Sequence, residues 1–396
     1  MAISRYFIPA HMSAGFIAPL VGYTSSAAII FQAANSTGAS DAMVTSWFWA
    51  LGLGMGLSTI GLSLFFKQPI LTAWSTPGAA ILVTSLAGVP MAEAIGAFLL
   101  CSVLLTLVGL SGWFDRLMLF LPQSIAAAML AGVLLPFAMH MIMSLESQLA
   151  LALTMIMTFL LSRVFWPKLA IMVTFVLGII VAGMQDLIAW KALSLQISSP
   201  IWTTPEWSLS AAIGVAIPLF IVTMASQNLP GIVVLRSHGY DAPAAPLITW
   251  TGITGLVMAP FGGFAFNLSA IMAAICMGKD VDADPQQRYR SAVWAGLFIV
   301  ATGVFADSLT GLFNSLPQAL VISIAGLALL GTISSSLSTA LVEESERIPA
   351  MITLITTASG VALWGIGSAF WGLVLGALAL LIQHYCSAKP PTAAPD

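Results

Sequence analysis

Leu71-Thr72-Ala73-Trp74-Ser75-Thr76-Pro77-Gly78-Ala79-Ala80 and Pro260-Phe261-Gly262-Gly263-Phe264-Ala265-Phe266-Asn267-Leu268-Ser269 are two polar, glycine- and proline-bearing interruptions in an almost uncharged apolar chain. In water they would be ordinary loops. At membrane depth, extended backbone survives only where protein or a cavity satisfies its N–H and C=O groups. The first stretch predicts a short extended piece leading into a half-helix capped by Thr76, with Pro77 in its first turn, where a missing N–H loses nothing. The second predicts a half-helix capped by Asn267 and running through Ala270 to Met277. The 37 residues between Asp241 and Lys279 are too few for two full spans and a loop, so one segment there is broken. Two half-helix N-termini near the midplane favour an anion without any basic side chain.

The rest of the chain sets these breaks in a membrane. Of its 396 residues 59% are hydrophobic and 7% charged, with a mean hydropathy of +1.01, whereas soluble domains carry about 25% charged residues. A formal charge of −3 argues against nucleic acid or an acidic protein as partner. Stretches free of Asp, Glu, Lys and Arg at 6–40, 42–66, 68–92, 94–114 and 117–145 recur downstream, the longest holding two spans joined by a tight turn such as Gly365 to Gly367. About fourteen segments result, with twelve or thirteen also compatible with the length. The single base Arg5 before the first apolar run, with no small-residue cleavage site, marks that run as a retained span.

An even count in alternating orientation gathers Arg5, Lys67, Arg116, Arg163, Lys168, Arg236, Lys279, Arg288, Arg290, Arg347 and Lys389 on one face, leaving only Lys191 opposite. Retention of Lys and Arg in the cytoplasm then places both termini there. Leu121-Pro122-Gln123, followed by Ala131-Gly132 and Leu134-Leu135, is echoed 195 residues later by Leu316-Pro317-Gln318 with Ala325-Gly326 and Leu329-Leu330. Seven segments per half make the second copy inverted, the common plan of secondary transporters. The expected fold is an all-α polytopic membrane protein, a 7+7 inverted repeat with segments 3 and 10 broken.

With no Lys or Arg in either break, recognition falls to backbone dipoles, hydroxyls and amides; a charge at the bilayer centre costs roughly 2.5–3.5 kcal/mol. Candidate substrate-binding groups are Tyr23, Ser25 and Ser26 in the first span, Ser75 and Thr76 at the first break, Ser226, Gln227 and Asn228 in the eighth span, and Asn267 at the second break. Trp74, Phe264 and Phe266 flank the caps and suit an aromatic ring. Gln227 and Asn228 also fit a structural role bonding helix to helix. Cys101, Cys276 and Cys386 lie too far apart for a metal or disulfide pattern. His11, His140, His238 and His384 are scattered without a catalytic constellation, which argues against an enzyme. Lys279 to Asp284 reads as a solvated linker rather than a metal site, so no cofactor or metal is expected.

Gly22-Tyr23-Thr24-Ser25-Ser26-Ala27-Ala28-Ile29-Ile30, Thr72 through Ala80, Met224-Ala225-Ser226-Gln227-Asn228, Phe261 through Asn267 and Gly365-Ile366-Gly367-Ser368-Ala369-Phe370-Trp371-Gly372 closely resemble the benzoate membrane transport family, over nearly the whole chain. The resemblance implies a bacterial inner-membrane importer of benzoate or a related aromatic carboxylate, driven by protons. It implies the fold of the nucleobase and ascorbate permeases: core domain at 1–115 and 206–310, gate domain at 116–205 and 311–386, a cytoplasmic tail at 387–396, and a homodimer formed through the gate. Those permeases place acids in segments 8 and 10 where this chain has Gln227 and Phe266. Their loss fits a ligand that brings its own negative charge and removes the obvious proton carrier, leaving Glu93, His140 and Asp307 as ionisable residues near span ends. Another weak organic acid, a nucleobase, or passive anion movement through a channel or exchanger remain alternatives.

Overall fold

A computed structural model describes residues 8–114, 122–166, 170–189, 196–241, 243–279, 281–361, 363 and 368–387. Its helices are α1 (Pro9–Ser36), α2 (Asp41–Phe66), α3 (Thr76–Ser85), α4 (Met91–Ser111), α5 (Gln123–Ser147), α6 (Leu149–Phe165), α7 (Ala170–Met184), α8 (Leu209–Arg236), α9 (Ala244–Met258), α10 (Ala270–Cys276), α11 (Tyr289–Val304), α12 (Ala306–Ser315), α13 (Gln318–Ala340), α14 (Arg347–Ala358) and α15 (Ser368–Ser387). Two strands, β1 (Thr72–Trp74) and β2 (Phe266–Leu268), precede α3 and α10.

By length and composition, α2, α4, α5, α8, α13 and the run Ala244–Phe261 are apolar and long enough to cross a bilayer. Helix α1 joins them as a broken span, bent by 42° between Tyr23 and Ser26, a turn after its internal Pro19. The helices are apolar around most of their circumference, because their outer faces also meet hydrocarbon. Leu57, Leu107, Leu110, Leu160 and Val164 lie open on the outside while Trp47, Phe48, Phe98, Phe264 and Phe266 fill the inside. The chain is thus a largely helical, multi-pass membrane protein.

Between such helices, apolar burial drives little, and close approach matters more. Helix α2 lies against α11, where a Cβ at Gly52 would stand 2.5 Å from the Cα of Gly303 and one at Gly56 would stand 2.7 Å from the carbonyl oxygen of Gly296. Helix α4 packs on α9 in the same manner, Gly109 on Thr249 and Gly252 on Thr106. Helix α5 packs along α13, whose Gly326 admits the Met141 side chain and the Phe137 carbonyl.

Both expected breaks are present. Their extended pieces pair antiparallel, Thr72 with Leu268, Ala73 with Asn267 and Trp74 with Phe266. Helices α3 and α10 therefore leave opposite ends of one short ribbon, each with its N-terminus toward it. The expected turn at Gly365 to Gly367 lies outside the described residues, as do Arg5, Arg116, Lys168, Lys191 and Lys389.

Candidate functional site

The ribbon's polar groups are met by protein. Thr72 Oγ1 donates to the Met55 carbonyl at 2.8 Å and stands 2.6 Å from Ser58 Oγ, while its N–H donates to Thr59 Oγ1 at 3.0 Å, which fixes β1 to α2. The Leu268 N–H donates to Asn228 Oδ1 at 3.0 Å, which fixes β2 to α8, and the Ser269 N–H closes the ribbon on the Leu71 carbonyl at 2.8 Å. Ala265, just before β2, takes a left-handed backbone at φ 44°, a local strain of about 1–3 kcal/mol that the surrounding packing must hold.

The caps differ from the sequence expectation. Ser75, not Thr76, caps α3, its Oγ accepting from the Gly78 N–H at 3.0 Å; Thr76 is the first helical residue and is partly open. Ser269, not Asn267, caps α10, accepting from the Met272 N–H at 3.3 Å. Asn267 belongs to β2, because the strand runs two residues further than its polar side chain suggests. Its Nδ2 donates to the Ala265 carbonyl at 3.0 Å, which leaves Oδ1 buried without a partner. Helix α10 spans only seven residues, so its dipole is weak.

The middle of α1 crosses the two breaks. Gly22 lies against Met272 in the first turn of α10, with 3.0 Å between an added Cβ and the sulfur. Trp74 Nε1 donates to Ser26 Oγ at 2.8 Å, and Ser26 Oγ donates to the Gly22 carbonyl, also at 2.8 Å. Tyr23 stacks edge-on against Trp74 at 4.6 Å between centroids and shares a hydrogen bond with Thr302 of α11. The Ser25 side chain lies outside the described atoms.

Helix α8 brings Ser226, Gln227 and Asn228 within a π-helical turn, Met224–Asn228, the second in that helix after Ala212–Ala216. The wider turn splays these side chains, a feature concentrated at functional sites. Asn228 is buried on β2, Gln227 is partly open, and Ser226 lines a cavity of 280 Å³ between α8, α5 and α13. Tyr23 and Thr302 give the polar edge of an apolar cavity of 540 Å³.

The structure thus gathers Tyr23, Ser26 and Trp74 at one end of the ribbon, with Asn267 on its other strand and Asn228 of α8 bonded to that strand. It does not bring Phe264 and Phe266 to an opening: both are fully buried, Phe264 between Trp47 and Phe98 and Phe266 in room left by Gly54 and Gly255. Thr72, Ser269 and Thr302 were missed by sequence reasoning. Ser269 had a signal, since Ser75 and Ser269 keep nearly the offset of Gln123 and Gln318; Thr302 had none in the sequence. The linker after α10 also differs from expectation: Asp282 is held by the fully buried His11, Nε2 to Oδ2 at 2.8 Å, rather than standing free in solvent.

The same helical fold occurs in solved membrane proteins. The chain superposes on the transmembrane domain of a cyanobacterium bicarbonate transporter, BicA, with a TM-score of 0.60 at 14% identity, covering 95% of this chain and 97% of that one. On the murine Slc26a9 anion transporter in the inward-facing state the TM-score is 0.63 at 12% identity, over 97% and 69%. These likenesses show the fold alone, and they do not show the nucleobase and ascorbate permease fold that the sequence resemblance implied. The sequence profile of the family "Benzoate membrane transport protein" matches residues 5–382. The chain is 44% identical to "Inner membrane protein YdcO" of Escherichia coli strain K12, over 95% of its own length and 96% of the relative's. It is 38% identical to the "Benzoate membrane transport protein" of Acinetobacter baylyi, over 93% and 94%. The chain belongs to the benzoate membrane transport family, and it is a membrane transporter rather than an enzyme.

Proposed function

We propose that this protein is a secondary transporter that carries benzoate, or a closely related aromatic carboxylate, together with protons into a bacterium across the inner membrane. The observation that carries the reading is the β1–β2 ribbon with its buried, unpartnered Asn267 Oδ1, in a chain whose family includes a benzoate transporter. The ligand carboxyl sits near the start of α3 by Thr76, within reach of Gln227, while Tyr23 and Trp74 offer aromatic contact. Asn267 Oδ1 is an acceptor, so it suits the O–H of a carboxylic acid rather than a carboxylate. Burial raises a carboxyl pKa, and a proton riding on the ligand itself supports symport in a site without an acid side chain.

The transport cycle in this reading is elevator-like. The core, residues 1–115 and 206–310, moves against the gate, residues 116–205 and 311–386. Helices α5 and α13 form the gate face, and the fourteen segments divide into two inverted halves. The antiparallel ribbon and the equivalent offsets of the two Pro-Gln helix starts support that symmetry. Both termini face the cytoplasm, on the side of the basic residues, and two copies associate through the gate.

Labelled benzoate uptake into proteoliposomes tests the proposal. Accumulation driven by an inward proton gradient and abolished by a protonophore is expected. The likeness to bicarbonate and Slc26 transporters favours, as a second reading, gradient-independent anion exchange; uptake that survives the protonophore selects it.

A further inference from the structure

Among the described basic side chains Arg288, just before α11, is the most deeply buried, at 6% exposure. A guanidinium taken out of water is costly unless its N–H groups are met, and the usual partner is a carboxylate. Among the described residues no carboxylate pairs with it; the ion pairs there are His11–Asp282 and Arg347–Glu344. The side chain is turned on neutral oxygens instead. Its Nη1 donates to the Met277 carbonyl at 2.9 Å and its Nε to the Asp282 carbonyl at 2.8 Å. The Tyr240 hydroxyl, which itself donates to the Pro285 carbonyl at 2.9 Å, lies within hydrogen-bonding reach.

These oxygens stand at the end of α10 away from the ribbon. Met277 is the C-cap of α10, and a helix leaves its last carbonyls unbonded. Arg288 takes the Met277 carbonyl, Ser291 Oγ stands 3.2 Å from the Cys276 carbonyl oxygen, and a cation there suits the negative end of the helix dipole. With seven residues α10 is about 10 Å long, too short to be stable alone, so its position is set by what holds its two ends. At the ribbon end the Ser269 N–H is held by the Leu71 carbonyl, and Asn228 holds β2. At the far end Arg288 holds it, and Asp282 passes that hold on to His11 of α1. Helix α1 is also the element whose Gly22 lies against Met272 of α10 and which carries Tyr23 and Ser26.

We infer that Arg288 is a positioning residue for the ligand site. Its forked hold on the Met277 and Asp282 carbonyls fixes α10 along its axis, and so sets where β2, with Asn267, stands against Tyr23 and Trp74. Arg288 itself touches no ligand. The inference rests on the benzoate reading above and adds to it a residue one short helix away from the ribbon. Lysine carries the same charge without the planar fork, so the two contributions of Arg288 are separable.

The test compares the intact protein, Arg288→Lys, Arg288→Met and Asp282→Ala. KM and the saturated rate for labelled benzoate are measured in proteoliposomes, per folded molecule, and amide hydrogen exchange is measured in the purified proteins. Asp282→Ala loosens the same loop but keeps the backbone carbonyl that Arg288 holds, so it reports lost stability alone. Expected in Arg288→Met is a KM raised about three- to tenfold, the worth of one weakened hydrogen bond, with Arg288→Lys between it and the parent and Asp282→Ala close to the parent. Exchange in Arg288→Met quickens at residues 266–276 while α5 and α13 keep the parent rates. A KM unchanged in Arg288→Met, or raised equally in Asp282→Ala, makes Arg288 a stabilising residue only and overturns the inference, as does exchange that quickens evenly along the chain. Absence of benzoate uptake by the intact protein overturns the substrate reading instead, and the exchange pattern then decides Arg288 by itself. Should Arg288→Met not fold, Arg288→Lys carries both measurements and the same outcomes decide.

Discussion

Asn228 shows how one side chain ties recognition to folding. Its Oδ1 holds the Leu268 N–H of β2, and its neighbour Gln227 is left partly open by the same π-helical turn. Asn228→Leu removes the acceptor and strands a buried N–H, a loss of about 1–3 kcal/mol. Lower thermal stability together with weakened uptake is the expected result in purified protein; full stability with normal uptake would show the ribbon indifferent to α8. Gln227→Leu is expected to separate the two effects, leaving thermal stability near that of the parent while KM rises. Gly262 is a second decisive residue. At φ 96° an added Cβ would stand 1.9 Å from Trp47 Cδ1, so Gly262→Ala combines left-handed strain with a clash against a buried ring. Poor recovery of folded Gly262→Ala from membranes is expected, in contrast with Gly61→Ala, whose added Cβ meets nothing within 4 Å.

Among elements, the loop after α10 carries a pH dependence. The Asp282 carboxyl is under an upward push from burial, outweighed by the Asp284 backbone N–H, the His11 side chain and Arg290, so it sits below the ordinary carboxylate range. A depressed carboxylate stabilises the fold above its unfolded-state pKa and loses that contribution as pH falls through the folded value. The pair also ties the start of α1 to the loop that follows α10, and without Asp282 the fully buried His11 keeps no partner on either ring nitrogen. Asp282→Ala is therefore expected to lower the melting temperature at neutral pH, with the gap to the parent narrowing as the carboxylate range is entered from above. An equal gap at every pH would assign the effect to packing rather than charge.

For the whole molecule, the proposed movement of core against gate makes a mechanical prediction. Ala126 of α5 and Ser226 of α8 line one cavity, from helices that the proposal assigns to gate and core. Ala126→Cys paired with Ser226→Cys, in a protein freed of its native cysteines, is expected to lose uptake on treatment with a short bifunctional thiol reagent and to regain it when a cleavable reagent is reduced. Cross-linked protein that transports at the parent rate would require a cycle without relative motion at this seam.

What the sequence by itself determined is the class: a nearly chargeless apolar chain must be satisfied by helices in lipid, and polar, glycine- and proline-rich stretches inside it must be buried breaks. The breaks at Thr72–Ala80 and Pro260–Ser269, the helix starts at the two Pro-Gln pairs and the family were legible because each is local in the chain. The caps were displaced by one and two residues, since Thr76, Asn267 and the serines beside them all satisfy the same local rule, and strand pairing between residues far apart in sequence decides among them. The burial of Phe264 and Phe266, the π-helical turn that presents Gln227, and the Tyr23–Thr302, His11–Asp282 and Arg288–Met277 contacts were decided only by tertiary structure. In a chain whose inner and outer faces are equally apolar, hydrophobic periodicity does not say which side looks inward; only the packing of helix on helix does.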